Sequence, residues 1–238
     1  MQFYVWLQMK EYTKKIHSLL AKHGDEQVAQ TMSRSANGQF KFLGIKTVEQ
    51  NELTKKIFVN YPLPKYDETK SIIRELFSFE EREYLYFGIA LFLKRKKMWQ
   101  KTDIVFIESL ILTQPGWDTT EYISTEIVGQ FYEMYPRITN EFIKAWNVSK
   151  SQWLKAAAIM FQHTFKDKTN TELLAETINT NISSNSEIVN HAIGAALRNY
   201  SKSNYQWVLD FVVKNSAKMN KKTKQEAIKW IDSKGLIK

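Results

Sequence analysis

When the chain is slid against itself by 35 residues, Phe87, Tyr122, Ala157, Ala192 and Ala227 fall into one column, and Gly88, Ile123, Ala158, Ile193 and Ile228 into the next. Every member lies inside a stretch with helical apolar spacing: EYLYFGIALF, DTTEYISTEI, WLKAAAIMFQ, IVNHAIGAAL and TKQEAIKWID. Between these lie further helical stretches, among them TDIVFIESLIL, ITNEFIKAW, NTELLAETI and YQWVLDFVV. A helix pair recurring at about this length is the signature of a helical-repeat array, whose repeats stack into a curved solenoid with a continuous core and a concave surface. The competing reading is a non-repetitive helical bundle with accidental spacing, and five members in register weigh against it.

The rest of the sequence agrees with helices. Glycine and proline are scarce, at eight and four in 238 residues, and alternating strand patterns are hard to find. Helix starts are expected at two capping boxes, Thr47 with Gln50 and Ser78 with Glu81, and at the N-cap candidates Thr102, Thr139 and Ser149. Hydrophobic residues make up 43% of the chain, enough for a real core in one domain or one continuous array over 1–238, divided into N-terminal helices and a loop over 1–45 and repeats over 46–238.

Several function classes are excluded or disfavoured. The absence of cysteine removes disulfides, thiolate metal sites and cysteine nucleophiles. The four histidines, His17, His23, His163 and His191, lack metal-ligand spacing, so neither a metal nor another cofactor is expected. No apolar run approaches the roughly 18 residues of a membrane span, and the stretch MQFYVWLQMKEYTKK has its charges after its apolar residues, the reverse of a secretory signal. A cytoplasmic monomer is expected. The net charge of +9 suits a polyanionic partner, and the clusters Lys94 to Lys97 and Lys218 to Lys224 could contact phosphates, although a basic cluster is by itself only solvated surface.

The stretch LTQPGWDTTEYI, residues 112–123, draws notice for its chemistry. A Pro-Gly pair stops one helix, Trp117 and Asp118 open the next, and Glu121 follows three residues after Asp118, so both acids can share a helical face.

At this point the chain resembles a known family, the AlkD-like DNA alkylation repair proteins, which are HEAT-like repeat DNA glycosylases. The resemblance runs through FKFLGIKT (40–47), IIREL (72–76) with EREY (81–84), the Trp117-Asp118 helix entrance, WLKAAAIMFQ (153–162) and AIGAALRNYSK (192–202), in the family's order. It implies an all-α, right-handed solenoid of HEAT-like repeats with a concave basic face that binds duplex DNA. It also implies removal of cationic N3- and N7-alkylated purines. Such a base leaves as a neutral group, so the enzyme mainly stabilises an oxocarbenium-like sugar with a carboxylate and aromatic faces.

The resemblance assigns candidate catalytic roles to Trp117 and Glu121, in a degenerate site, and DNA-binding roles to Lys155, Arg198 and Asp118. The departures are specific. Gly116 replaces the family's first tryptophan, Glu121 its catalytic aspartate, Lys155 its backbone-gripping arginine and Ala195 a further tryptophan. Glutamate adds a methylene, and a displacement of about 1 Å can cost on the order of a hundredfold. Lysine lacks the planar bidentate grip of arginine, and alanine offers no face to a cation, a loss of roughly 0.5–2 kcal/mol. Residues 24–39, which in relatives approach the minor groove, have Asp25 and Glu26 at their start and few apolar anchors; a short, displaced or mobile segment is expected there.

Each candidate also has a plain structural reading. Trp117 can be a hydrophobic anchor, Asp118 an N-cap, Glu121 a first-turn acid, and Lys155 and Arg198 solvated cations. Trp146, Trp153, Trp207 and Trp230 are read as core. The function expected is a DNA-binding relative of the alkylpurine glycosylases with weak or lost base excision. The alternatives are an active glycosylase using Glu121 and a protein-binding helical scaffold.

Overall fold

The computed structural model describes residues 10–236. Among them every regular element is helical; the sole β-type pairing is an isolated bridge between Lys41 and Glu81. The helices pack in a repeat-like arrangement, as the 35-residue columns required. The chain separates into two compact units, Met1–Gln100 and Lys101–Lys238. Much of the stretch weighed above against a secretory signal, and the first residues of the 1–45 segment, lie outside the described residues.

The first unit contains α1 (Glu11–Ala21), α2 (Glu26–Ser35), α3 (Thr47–Asn60), α4 (Tyr66–Leu76) and α5 (Arg82–Lys94). Its core gathers Ile16, Leu20, Ile57, Ile72, Ile73, Leu76, Phe87 and Phe92. The FLGI segment is tied to it by a buried carboxylate. Glu83 accepts backbone hydrogen bonds from Leu43 (2.9 Å), Gly44 (3.0 Å) and Ile45 (3.1 Å), so its charge is met by donors rather than by water. Gly44 is required there. Its φ is +90°, and a Cβ would come within 2.0 Å of the Asp25 carbonyl oxygen.

Two local expectations fail in this unit because other carbonyls capture the polar groups, one distant and one a single turn away. The Gln50 amide donates to the Glu83 carbonyl (3.2 Å) rather than closing a box with Thr47, and Lys46 is the N-cap. The Ser78 hydroxyl donates to the Glu75 carbonyl (2.7 Å), and Glu81 stands at the N-cap position of α5 without a side-chain bond. Residues 24–39 hold more structure than their composition suggested. Asp25 accepts from the Val28 amide and caps the ten-residue α2, in which no residue is buried. The cap and the Gly44 approach fix this helix where apolar anchors are missing.

The second unit contains α6 (Asp103–Leu112), α7 (Trp117–Tyr122), a π-helical stretch (Ile123–Val128), α8 (Gly129–Met134), α9 (Pro136–Asn147), α10 (Gln152–Met160), α11 (Thr171–Asn181), α12 (Glu187–Tyr200), α13 (Tyr205–Lys214) and α14 (Lys221–Ser233). The α7–π–α8 run, α10, α12 and α14 are the second helices of successive pairs. Their starts at 117, 152 and 187 are 35 residues apart and the last, at 221, is 34 further on. Caps mark the repeat: Ser151, Ser186 and Asn220 each accept from a backbone amide three residues on, while Gly116 has no side chain to do so. The caps expected at Thr139 and Ser149 are displaced. Thr139 lies inside α9 and bonds back to the Tyr135 carbonyl (2.8 Å), and Ser149 accepts from the amide of the true cap, Ser151 (3.1 Å).

Small residues set the spacing. Ala157, Ala192 and Ala227 are fully buried, and a Cβ on Gly194 would lie 2.9 Å from the Glu226 Cβ, so α12 and α14 approach closely. Polar links repeat at nearly the same interval: the Asn181 amide donates to Asn147 Oδ1 (2.7 Å) and the Ser186 hydroxyl to Gln152 Oε1 (2.7 Å), each across 34 residues. Trp146 is buried and donates to Glu108 (2.7 Å), and Trp207 and Trp230 pack against the core.

Candidate functional site

All five candidate residues belong to the second unit and to second helices of pairs: Trp117, Asp118 and Glu121 to α7, Lys155 to α10 and Arg198 to α12. The turn before α7 explains its entrance. Gln114 takes a left-handed conformation (φ +47°), Pro115 follows, and Gly116 is the extended N-cap (φ −153°). Asp118 is therefore not the N-cap expected of it; it occupies the second position of the helix.

Trp117 is half-buried against the core of the unit, and its ring meets the His191 ring edge-on at a centroid distance of 4.0 Å and an interplanar angle of 81°. It is thus both an anchor and a bridge to α12. Glu121 lies one turn further along the same face and is half-buried. Neither Glu121 nor Lys155 makes an ion pair or side-chain hydrogen bond with another described residue. Arg198 differs: its Nη1 lies 2.5 Å from Glu226 Oε1 on α14, and Lys229 Nζ approaches the other oxygen of Glu226 at 3.9 Å. Ala195, the position of the missing tryptophan, is buried at 1% exposure and presents nothing to solvent.

Two partners in this arrangement went unread in the sequence, His191 and Glu226. A signal for them existed. Stepping by 35 from Glu121 gives Ala156, His191 and Glu226, the column immediately before the apolar one, so these residues occupy equivalent places on successive second helices. A third feature, the π-helical turn that starts two residues after Glu121, has no simple sequence signature. In it the Ser124 hydroxyl bonds back to the Thr120 carbonyl, and the buried Thr120 hydroxyl oxygen has no partner. Burial, reinforced by the Glu126 charge, raises the pKa of the adjacent Tyr122 phenol.

The model of one protein family, described as DNA alkylation repair enzyme, matches residues 16–231. The chain belongs to the DNA alkylation repair enzyme family. This covers both units and all the candidate residues. A solved structure described as a predicted DNA alkylation repair enzyme from Enterococcus faecalis shares the fold with a TM-score of 0.78. It is 23% identical, and the alignment covers 88% of this chain and 97% of that one. Among curated proteins none matches. No group of three or more histidine, aspartate or glutamate residues is placed to hold a metal ion among the described residues, and no helix there is long and apolar enough to cross a membrane.

Proposed function

We propose that this member of the DNA alkylation repair family binds duplex DNA through the second helices of its C-terminal unit, with base excision weak or absent. The observation that carries the weak or absent excision is that the Trp117 ring is already engaged internally by His191, and the Arg198 guanidinium, paired with Glu226, leaves duplex binding to the other cations. A departing cationic purine and its sugar need an accessible aromatic face and a carboxylate at fixed distance. Here Glu121 supplies the carboxylate, on a longer stem than the aspartate of the family's motif, and Ala195 supplies no face. Lys155 and the net charge of +9 support phosphate binding.

A second reading, an active glycosylase, is favoured by one observation. Glu121 is half-buried one turn from Trp117 and has no cation or donor among the described residues, so its charge is available to a ligand. The two readings separate in a single-turnover base-release assay on duplex DNA carrying N7-methylguanine, run beside a family member with the full aromatic and aspartate set. Release within about tenfold of that relative, abolished in Glu121→Ala, overturns the first reading. In a parallel titration affinity should rise steeply as salt falls, with Lys155→Ala weakening all duplex sequences alike. No binding at low salt points instead to a protein-binding scaffold.

A further inference from the structure

A cavity of about 370 Å³ opens beside the C-terminal ends of α10 and α12, and none of the candidate residues above lines it. Its apolar wall is formed by Ile159, Leu174, Ala196 and Tyr200, and its polar side includes His163, Lys166, Asn199 and Lys202, with the hydroxyls of Thr169 and Ser203 nearby. Its lining holds two ammonium groups and no carboxylate. The volume falls in the range of small-molecule sites, roughly 300–1,000 Å³.

The backbone around it is held in place by polar links. The Gln162 side chain clamps Asn170 by accepting from its amide (2.8 Å) and donating to its carbonyl (3.2 Å), while the Asn199 amide donates to the His163 carbonyl. Lys166 is carried on a strained left-handed residue (φ +52°), a conformation a non-glycine residue keeps only when its surroundings enforce it. The His163 ring is the unsatisfied element. The ring lines the cavity, and its Nδ1 is buried without a hydrogen-bond partner. Burial first, and the charges of Lys202 and Arg198 after it, hold this imidazole neutral down to about pH 4, so it offers a hydrogen bond while the lysines supply the charge.

We infer that this cavity binds a small phosphomonoester, with its organic body against Ile159, Leu174, Ala196 and Tyr200 and its phosphate between Lys166 and Lys202. A dianionic phosphate matches two lysines and the hydroxyls of Thr169 and Ser203 better than a single carboxylate does. The same chemistry reaches the protein from two sources, a free nucleotide-sized metabolite or the 5′-phosphorylated end of a DNA strand. The inference does not rest on the proposed function, since the two share no lining residue.

The test is an NMR titration of the full chain, following the His163 ring signals, with deoxyadenosine monophosphate, deoxyadenosine and inorganic phosphate as probes. Saturable shifts with the monophosphate, at least about tenfold weaker with the nucleoside or phosphate alone, are expected. Bound phosphate should also raise the His163 pKa by offsetting the charges of Lys202 and Arg198. Lys166→Ala with Lys202→Ala, both at exposed positions, should leave the circular dichroism spectrum unchanged and weaken binding by about tenfold or more. Equal response to nucleoside and nucleotide, unchanged affinity in the double variant, or no saturation with any probe overturns the inference. If the pocket binds the monophosphate, a 5′-phosphorylated oligonucleotide that displaces it, where the unphosphorylated strand does not, identifies the DNA end as a source. Failure of both strands to displace it assigns the free metabolite.

Discussion

The Arg198–Glu226 pair makes the most direct test of the proposed duplex binding. Glu226→Gln keeps the shape of the side chain packed beside Gly194 and removes only its charge. The two side chains are 36% and 22% exposed, so the pair is partly solvated and its loss should cost about 0.2–1 kcal/mol, a fall in Tm of roughly 1–3 °C. The effect on DNA binding has the opposite sign. A freed guanidinium that reaches one phosphate should contribute about 1 kcal/mol, roughly a fivefold rise in affinity. It should also steepen the slope of log affinity against log salt by about 0.9. Fluorescence anisotropy with unmodified duplex over a series of salt concentrations reads both. Arg198→Ala completes the cycle: in the parent it should change affinity little, because the charge is already paired, and in Glu226→Gln it should erase the gain. If Arg198→Ala weakens the parent as much as it weakens Glu226→Gln, Glu226 masks nothing. If Glu226→Gln leaves both affinity and slope unchanged while folding normally, Arg198 does not contact DNA.

Two further expectations concern stability. Glu83→Gln leaves the amides of Leu43, Gly44 and Ile45 facing a neutral amide in place of a carboxylate, which should destabilise the N-terminal unit by about 2–4 kcal/mol. Urea unfolding measures the cost, and hydrogen exchange should show protection lost at 43–45; retained protection would mean that another group holds this loop. His163 should make stability depend on pH. Its folded pKa of about 4 lies below the ordinary 6.5, so the unfolded chain binds the proton first. Its contribution is fully present above about pH 6.5 and is lost as pH falls towards 4, by a total of about 3 kcal/mol. Unfolding free energies of the parent and His163→Gln, compared at pH 7 and pH 4.5, should converge on acidification, and parallel curves would refute the assignment.

The parts of the molecule that were legible in its sequence are those governed by period. The 35-residue columns specify which face of each second helix turns to the core, and of the five members of the first column Phe87, Ala157, Ala192 and Ala227 lie at zero exposure while Tyr122 is half-buried. Caps were less legible. Of the expected caps Thr102 stands at the N-cap position of α6 without a side-chain bond, Gln50 and Ser78 are claimed by the carbonyls of Glu83 and Glu75, and the side-chain caps Ser186 and Asn220 were not expected. The candidate site sits between these cases. Trp117 and Glu121 share a face by helical geometry, which any reader of the sequence can derive. What each side chain meets depends on helices stacked beside it, from His191, 74 residues beyond Trp117, to Glu226, 28 beyond Arg198. These contacts decide whether a tryptophan and an arginine are free for a ligand, so resemblance of residue type at a site establishes ancestry more readily than activity. That argument turns on geometry: in Glu121→Asp the carboxylate regains the shorter stem of the family's motif, but the Trp117–His191 and Arg198–Glu226 contacts persist, and restoring the aspartate alone should therefore leave base release weak.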